Sequence, residues 1–110
     1  MPANWKVTFY SRKVRAETFD LPDSILAELL HILELIERHG PNLGRPHTAP
    51  MGSGLFEIRA MGKEGIARSL FCTVSGQEVV LLSVFIKKTQ KTPQHEIEKA
   101  RKRMKELHNG

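Results

Sequence analysis

The chain has 110 residues, a net charge of +5 and a single cysteine. This length suits one domain, and one cysteine excludes an internal disulfide. No apolar run approaches the roughly 20 residues that cross a bilayer, and the amino terminus lacks the pattern of a signal peptide. We therefore expect a cytoplasmic protein with no membrane partner, and the excess of positive charge favours a polyanionic partner.

The amino-terminal part predicts a strand followed by a long helix. Trp5–Tyr10 alternates as a strand does, and Ser11–Phe19 is polar and basic enough for a loop or a short helix. The long helix is expected to begin near Pro22, because proline suits a first helical turn. It is expected to end at Gly40, which precedes another proline. Its leucines recur at helical spacing and predict a face that covers the apolar side of a sheet.

Asn42–Gly54 contains two prolines and three glycines and is predicted to be a loop. It carries Arg45 and His47 shortly before the next strand. Functional side chains lie on loops more often than in cores.

The central stretch predicts three antiparallel strands, since turns containing glycine separate runs of β-branched and aromatic residues. These strands are Leu55–Ala60, Ile66–Val74 and Glu78–Ile86. A terminal helix follows, with Thr92 as its N-cap and Pro93 as its first residue. Its apolar stripe is thin and its remaining surface is strongly basic, which indicates either a solvated face or a contact for a polyanion. The predicted class is α+β, with about four strands, the long helix and this carboxyl-terminal helix.

The turns predict a register for the three strands. Four-residue turns at Gly62–Gly65 and Ser75–Glu78 place Arg59 opposite Arg68, and Arg68 opposite Phe85. Like charges in facing positions are destabilising. A sheet that keeps two opposed arginines is therefore predicted to hold an anion such as phosphate.

The same register predicts two different faces, because side chains alternate along a strand. Glu57 and Lys87 share the face of the two arginines. The opposite face is predicted to be the core side, with Phe56, Ile58, Phe71, Leu82, Val84 and Ile86.

Motifs for a metal or nucleotide cofactor are not found: the sequence has no glycine-rich phosphate loop, no CxxC pair and no HExxH. We therefore expect no cofactor. The arginines, lysines and glutamates suit cleavage of RNA without metal. That reaction needs a base for the 2′-OH proton, positive charge for the phosphorane and an acid for the leaving oxygen.

Two segments also carry a resemblance to a known family. They are GLFEIR, with Arg68 in the strand after it, and VLLSVFIKKTQKTP leading into EIEKARKRMKEL. On these residues the chain resembles the RelE/ParE superfamily of bacterial toxins, most closely its HigB-like, phage-derived branch. The resemblance implies a curved antiparallel sheet and a toxin that cuts mRNA in the ribosomal A site without metal. It also implies a cognate antitoxin, commonly encoded beside the toxin as a small helix-turn-helix protein.

The resemblance further implies which residues form the site. Family members place basic residues of the middle strands and of the last strand's exit around the scissile phosphate. The matching positions here are Arg59, Arg68, Lys87 and Lys88, and the expected outer RNA contacts are Arg45, His47, Lys63 and Lys91.

The chain departs from the family at the end of the last strand. Several RelE-type toxins have a catalytic Tyr or His there, whereas this chain has Ile86-Lys87-Lys88. The general base is therefore left open. Glu57 is one candidate, and its other interpretation is a structural ion-pair partner for an arginine. Lys87 is another candidate if neighbouring positive charge lowers its pKa.

The expected function is the toxin of a type II toxin–antitoxin system, acting as a ribosome-dependent, metal-independent mRNA endonuclease. Two alternatives stay open: a ParE-like inhibitor of DNA gyrase, and a non-catalytic relative that binds RNA or an antitoxin. Arg68→Ala is expected to abolish toxicity and to leave the fold intact. Three antitoxin sites stay open: the basic groove, an apolar groove beside the helices, and the place of the terminal helix.

Overall fold

The computed structural model describes residues 4–87 and 91–109, so the predicted site residue Lys88 lies outside the described residues. The described part contains five strands and three helices. In chain order they are β1 Lys6–Phe9, α1 Arg12–Phe19, α2 Asp23–His39, β2 Thr48–Gly52, β3 Leu55–Gly62, β4 Gly65–Val74, β5 Glu78–Ile86 and α3 Gln94–Asn109. The α+β class is confirmed. No described helix has both the length and the apolar character that a bilayer crossing requires.

The strands form one sheet in the order β1-β5-β4-β3-β2. Three of its neighbouring pairs are antiparallel, but β1 runs parallel to β5. The sheet is therefore mixed and has one strand more than expected. The additional strand is β2, inside the segment predicted to be a loop. Its Pro50 is compatible with a strand because β2 lies at the edge of the sheet, where an amide donor can be spared.

The predicted register at the arginines is confirmed. Arg59 lies opposite Arg68, and Arg68 lies opposite Phe85. The turn between β3 and β4 is closed by the pair Gly62 and Gly65, as predicted.

The predicted face is wrong for one residue of β5, Leu82. Leu70 lies opposite Ser83 while Phe71 lies opposite Leu81, so Leu82 is the extra residue of a β-bulge. The bulge turns Leu82 away from Phe71, and Leu82 packs beneath α3 instead.

The first core lies between the sheet and the helices α1 and α2. It contains Ile25, Leu29 and Ile36 of α2, together with the predicted sheet residues Ile58 and Phe71. Phe56 and Val84 pack against this core as predicted, whereas Ile86 is 39% exposed at the end of β5. The helix α2 ends at His39 and is capped by Gly40, whose φ of 90° is a backbone conformation that glycine adopts readily.

The second core lies on the other face of the sheet, beneath α3. Its buried members are Leu55, Leu70, Cys72, Val80, Leu82, Ala100 and Met104. Burial raises the pKa of the Cys72 thiol to about 11, which fits a structural residue. Arg101 of α3 donates hydrogen bonds to the carbonyl oxygens of Met51 (3.0 Å) and Gly52 (3.2 Å). Part of the basic surface of α3 therefore holds the helix on the sheet.

Candidate functional site

The opposed arginines lie on the same face of the sheet as the second core. Leu55, Glu57 and Arg59 alternate along β3, as Leu70 and Arg68 do along β4, so all five side chains project to that face. The apolar members are buried beneath α3, and the charged members line a hollow of about 220 Å³. We call this the arginine hollow, and its lining residues are Arg45, Pro46, His47, Thr48, Ala49, Glu57, Arg59 and Arg68.

The strand β2 brings the loop residues to this hollow. The amide of Gly44 donates to the Thr48 hydroxyl, and the amide of Thr48 donates back to the Gly44 carbonyl, both at 3.0 Å. The His47 carbonyl accepts a hydrogen bond of 3.0 Å from the Arg59 amide. These bonds fix the turn that carries Arg45 and His47 beside Arg59, so both predicted outer contacts line the hollow.

Arg68 and Glu57 form an ion pair on the floor of the hollow. Their side chains are only 11% and 8% exposed. Arg68 Nη1 donates to Glu57 Oε1, and the Thr92 hydroxyl donates to Glu57 Oε2 at 2.6 Å. Both carboxylate oxygens therefore already accept a hydrogen bond. This geometry favours the structural interpretation of Glu57 over a role as general base.

The Thr92 side chain contacts Glu57 and Arg68, although the sequence around it predicts that it caps the terminal helix. Its hydroxyl also accepts a hydrogen bond from Arg68 Nη1 at 3.2 Å. The helix α3 begins at Gln94, after the predicted position, and the carbonyl of Pro93 accepts from the amide of Ile97. No local sequence signal separates this tertiary use of the hydroxyl from capping.

Arg59 differs from Arg68 in its surroundings. Within residues 4–87 and 91–109, Arg59 forms no ion pair, whereas Arg68 pairs with Glu57. The buried Nε of Arg59 has no hydrogen-bond partner among these residues. A half-buried guanidinium with an unsatisfied donor favours an anionic ligand at this position.

Lys87 adjoins the hollow at the exit of β5. Its amide donates a hydrogen bond of 2.7 Å to the carbonyl of Ile66. Burial lowers the pKa of the Lys87 amine, and the positive charges of Arg68 and Arg59 lower it further, while Glu57 acts in the opposite direction. This is the direction of shift that a role of Lys87 in proton transfer would require.

The two remaining predicted contacts lie elsewhere. Lys91 lines a neighbouring hollow of about 490 Å³, which shares Arg45, Glu57 and Arg68 with the arginine hollow. Lys63 is exposed in the turn between β3 and β4, where its amide donates to the Ser24 hydroxyl at the start of α2. It lines neither hollow, so the structure does not bring it together with the other predicted residues.

Comparisons with known proteins show which family the chain matches. The family model described as "Phage derived protein Gp49-like" matches residues 16–105. No similar sequence was found among curated proteins.

Two solved structures share the fold. One is an E. coli toxin RelE mutant in the free state, with a TM-score of 0.66 and 13% identity, covering 92% of this chain and 98% of that one. The other is the archaeal RelE–RelB complex from Pyrococcus horikoshii OT3, with a TM-score of 0.56 and 14% identity, covering 77% of this chain and 97% of that one. Structural similarity at identities this low shows that the fold is shared, but it does not show that the activity is shared. The predicted resemblance to the RelE/ParE superfamily is confirmed, and the chain belongs to the phage-derived Gp49-like family with a RelE-like fold.

Proposed function

We propose that the chain is the toxin of a type II toxin–antitoxin system and cuts mRNA on the ribosome without a metal ion. The observation that carries the proposal is the placement of Arg59 and Arg68 in one hollow, with Arg45 and His47 at its edge. Guanidinium groups match the geometry of phosphate oxygens and stay charged at any physiological pH. Their convergence in a partly enclosed hollow suits one backbone phosphate.

In this proposal Arg59 and Arg68 hold the scissile phosphate. The 2′-oxygen of the RNA attacks the phosphorus as it loses its proton, and the bond from phosphorus to the 5′-oxygen breaks. The leaving 5′-oxygen takes up a proton from solvent, so the products are a 2′,3′-cyclic phosphate and a 5′-hydroxyl. Negative charge grows on the phosphoryl oxygens during this step. Fixed donors aimed at such charge lower the barrier by about 3–4 kcal/mol each.

Lys87 is the proposed proton-transfer group. Its lowered pKa makes the neutral amine more accessible, which is required for taking the 2′-OH proton. The resemblance also assigns Lys88 to this strand exit, as a further cation beside the phosphate. Glu57 fixes Arg68 through their ion pair. Arg45, His47 and Lys91 would contact neighbouring nucleotides, and Lys63 would meet a long RNA only away from the scissile phosphate.

The test is a purified translation reaction in which the 5′ ends of the mRNA are mapped. The proposal predicts new ends on translated mRNA, none on the same mRNA without ribosomes, and equal cleavage in the presence of a chelator that spares ribosomal magnesium. Lys63→Ala serves as a control that removes an exposed cation outside the hollow and should cleave normally. Intact mRNA with accumulated gyrase–DNA breaks would instead select the gyrase inhibitor. Tight RNA binding without cleavage would select the non-catalytic relative.

A cognate antitoxin is part of the proposal, since the archaeal RelE of similar fold was solved in complex with RelB. Expression of the chain alone should stop cell growth, because the protein would act in the cytoplasm, where ribosomes and mRNA are found. Coexpression with the product of the adjacent gene, expected to be a small helix-turn-helix protein, should restore growth and yield a stoichiometric complex. Continued growth arrest and no complex would contradict this pairing.

A further inference from the structure

We propose that Thr92 is a positioning residue of this site, which orients the Arg68 guanidinium by holding the Glu57 carboxylate against it. This inference rests on the proposed function for its catalytic consequence. Its structural part stands on contacts among the three side chains.

The three side chains form a closed ring of hydrogen bonds. Arg68 Nη1 donates to Glu57 Oε1 and, at 3.2 Å, to the Thr92 hydroxyl. The Thr92 hydroxyl donates in turn to Glu57 Oε2 at 2.6 Å. Because the hydroxyl both donates and accepts, each contact fixes the geometry of the next. Networks of this kind inside a protein hold groups more firmly than isolated pairs.

The ring is poorly accessible to water. The Arg68 and Glu57 side chains are 11% and 8% exposed, and Thr92 is half-buried. A carboxylate oxygen in such a place needs a donor. If the Thr92 hydroxyl is removed, Arg68 and Arg59, which line the same hollow, are nearby donors that can replace it.

The loss of the hydroxyl would therefore change how the cations are oriented toward a phosphate. Glu57 Oε2 could turn toward a second nitrogen of Arg68 or toward Arg59, which lines the same hollow. Either movement would withdraw positive charge from the phosphate without removing a cation from the sequence. Thr92 also comes from outside the sheet, two residues before α3 begins at Gln94. The orientation of Arg68 thus depends on where the chain enters α3.

If Thr92 had only a structural role, its loss would lower the stability of the protein without a specific loss of kcat. The chain offers a matched control for this effect. Thr8 in β1 donates from its hydroxyl to Glu78 Oε2 at 2.7 Å. This is the same chemistry at the far edge of the sheet, since β1 and β2 are the two edge strands. Thr8→Val should lower stability without changing cleavage.

The experiment compares Thr92→Val, Thr92→Ser and Thr8→Val in the ribosome cleavage reaction, with kcat and KM measured separately. We expect Thr92→Val to lower kcat by about 10- to 100-fold with little change in KM, because misplacement of a positioned group costs rates of this order. Thr92→Ser keeps the hydroxyl and should recover most of the rate. In the Glu57→Gln background, Thr92→Val should cost far less, because two residues that act through one contact are not additive. Thr92→Ala provides the same comparison if the valine variant does not fold.

A second readout does not require activity. The NMR signals of the Arg68 guanidinium, assigned with Arg68→Lys, should show restricted rotation in the wild-type protein and in Thr92→Ser, and averaging in Thr92→Val. A wild-type protein that fails to cut mRNA while showing these signals would contradict the proposed function and support the positioning role. Wild-type cleavage by Thr92→Val, or an unchanged Arg68 signal in that variant, would overturn the role of Thr92.

Discussion

The structure predicts that removing Arg68 lowers the stability of the fold as well as the activity, whereas the sequence alone predicts that Arg68→Ala leaves the fold intact. The substitution takes away the guanidinium and leaves Glu57, whose side chain is 8% exposed, without its ionic partner. Loss of one member of a buried pair costs about 3–5 kcal/mol, since the remaining charge is stranded away from water. Thr92 still donates to Glu57, and the pair is not completely buried. We therefore expect a loss of about 2–4 kcal/mol in the free energy of unfolding.

For a chain of this length, each kcal/mol lowers the melting temperature by about 4 °C, so Arg68→Ala should melt about 8–16 °C below the wild type. Arg59→Ala removes a guanidinium that has no ion pair within the described part of the chain. It should cost less than about 1 kcal/mol. Circular dichroism melts of the two variants provide the comparison.

The double variant Arg68→Ala with Glu57→Gln sharpens this test. A neutral amide is less costly to bury than a stranded carboxylate, so the second substitution should recover part of the lost stability. The reasoning is refuted if Arg68→Ala melts at the same temperature as Arg59→Ala, or if Glu57→Gln lowers the stability of Arg68→Ala further.

Three further predictions concern other parts of the molecule. A Cβ at Gly62 would lie 2.7 Å from the backbone nitrogen of Ile25, which cannot move aside easily, so Gly62→Ala should lower the free energy of unfolding by about 1–3 kcal/mol; an unchanged urea midpoint would contradict this. Because burial and the nearby arginines lower its pKa, Lys87 should be acetylated faster than the exposed Lys102 at pH 8, and equal rates by mass spectrometry would argue against a lowered pKa at Lys87. The hydrogen bond from Ser24 holds the pKa of Glu64 below its unfolded value near 4.5. This bond therefore stabilises the folded protein above that pH, and the stabilisation is lost as the pH falls through the folded pKa. Ser24→Ala should therefore be less stable than the wild type at pH 6 and closer to it at pH 2.5, and an equal difference at both pH values would refute this.

The register at the arginines could be predicted because glycine turns leave a local signal. The segment Gly62–Gly65 sets the pairing of Arg59 with Arg68 directly. The pairing of Arg68 with Phe85 was predicted correctly although two details were wrong. Val74 lies opposite Glu78 and not opposite Val79 as expected, and the bulge at Leu82 restores the register. A continuous apolar run such as EVVLLSVFI has no alternation that would reveal the bulge.

The parts of the site that were missed depend on tertiary contacts. The strand β2 contains a proline, and two glycines lie in or beside it, so its sequence does not predict a strand. It is a strand because β3 lies beside it and supplies its hydrogen-bond partners. Thr92 precedes a proline and a helix, which is the local pattern of an N-cap, yet Glu57 and Arg68 engage its hydroxyl. Local sequence cannot reveal a partner 35 or 24 positions away.

The phosphate site is tested most directly by the rate of ribosome-dependent mRNA cleavage by Arg59→Ala, with Arg59→Lys and the wild type measured beside it. Arg59 lines the hollow and has no ion pair among the described residues, so its removal probes the phosphate site while sparing the fold. We expect a decrease of about 10²–10³-fold for Arg59→Ala at a nearly unchanged melting temperature, with partial activity for Arg59→Lys. Cleavage by Arg59→Ala at the wild-type rate would contradict the claim that the two arginines hold the scissile phosphate.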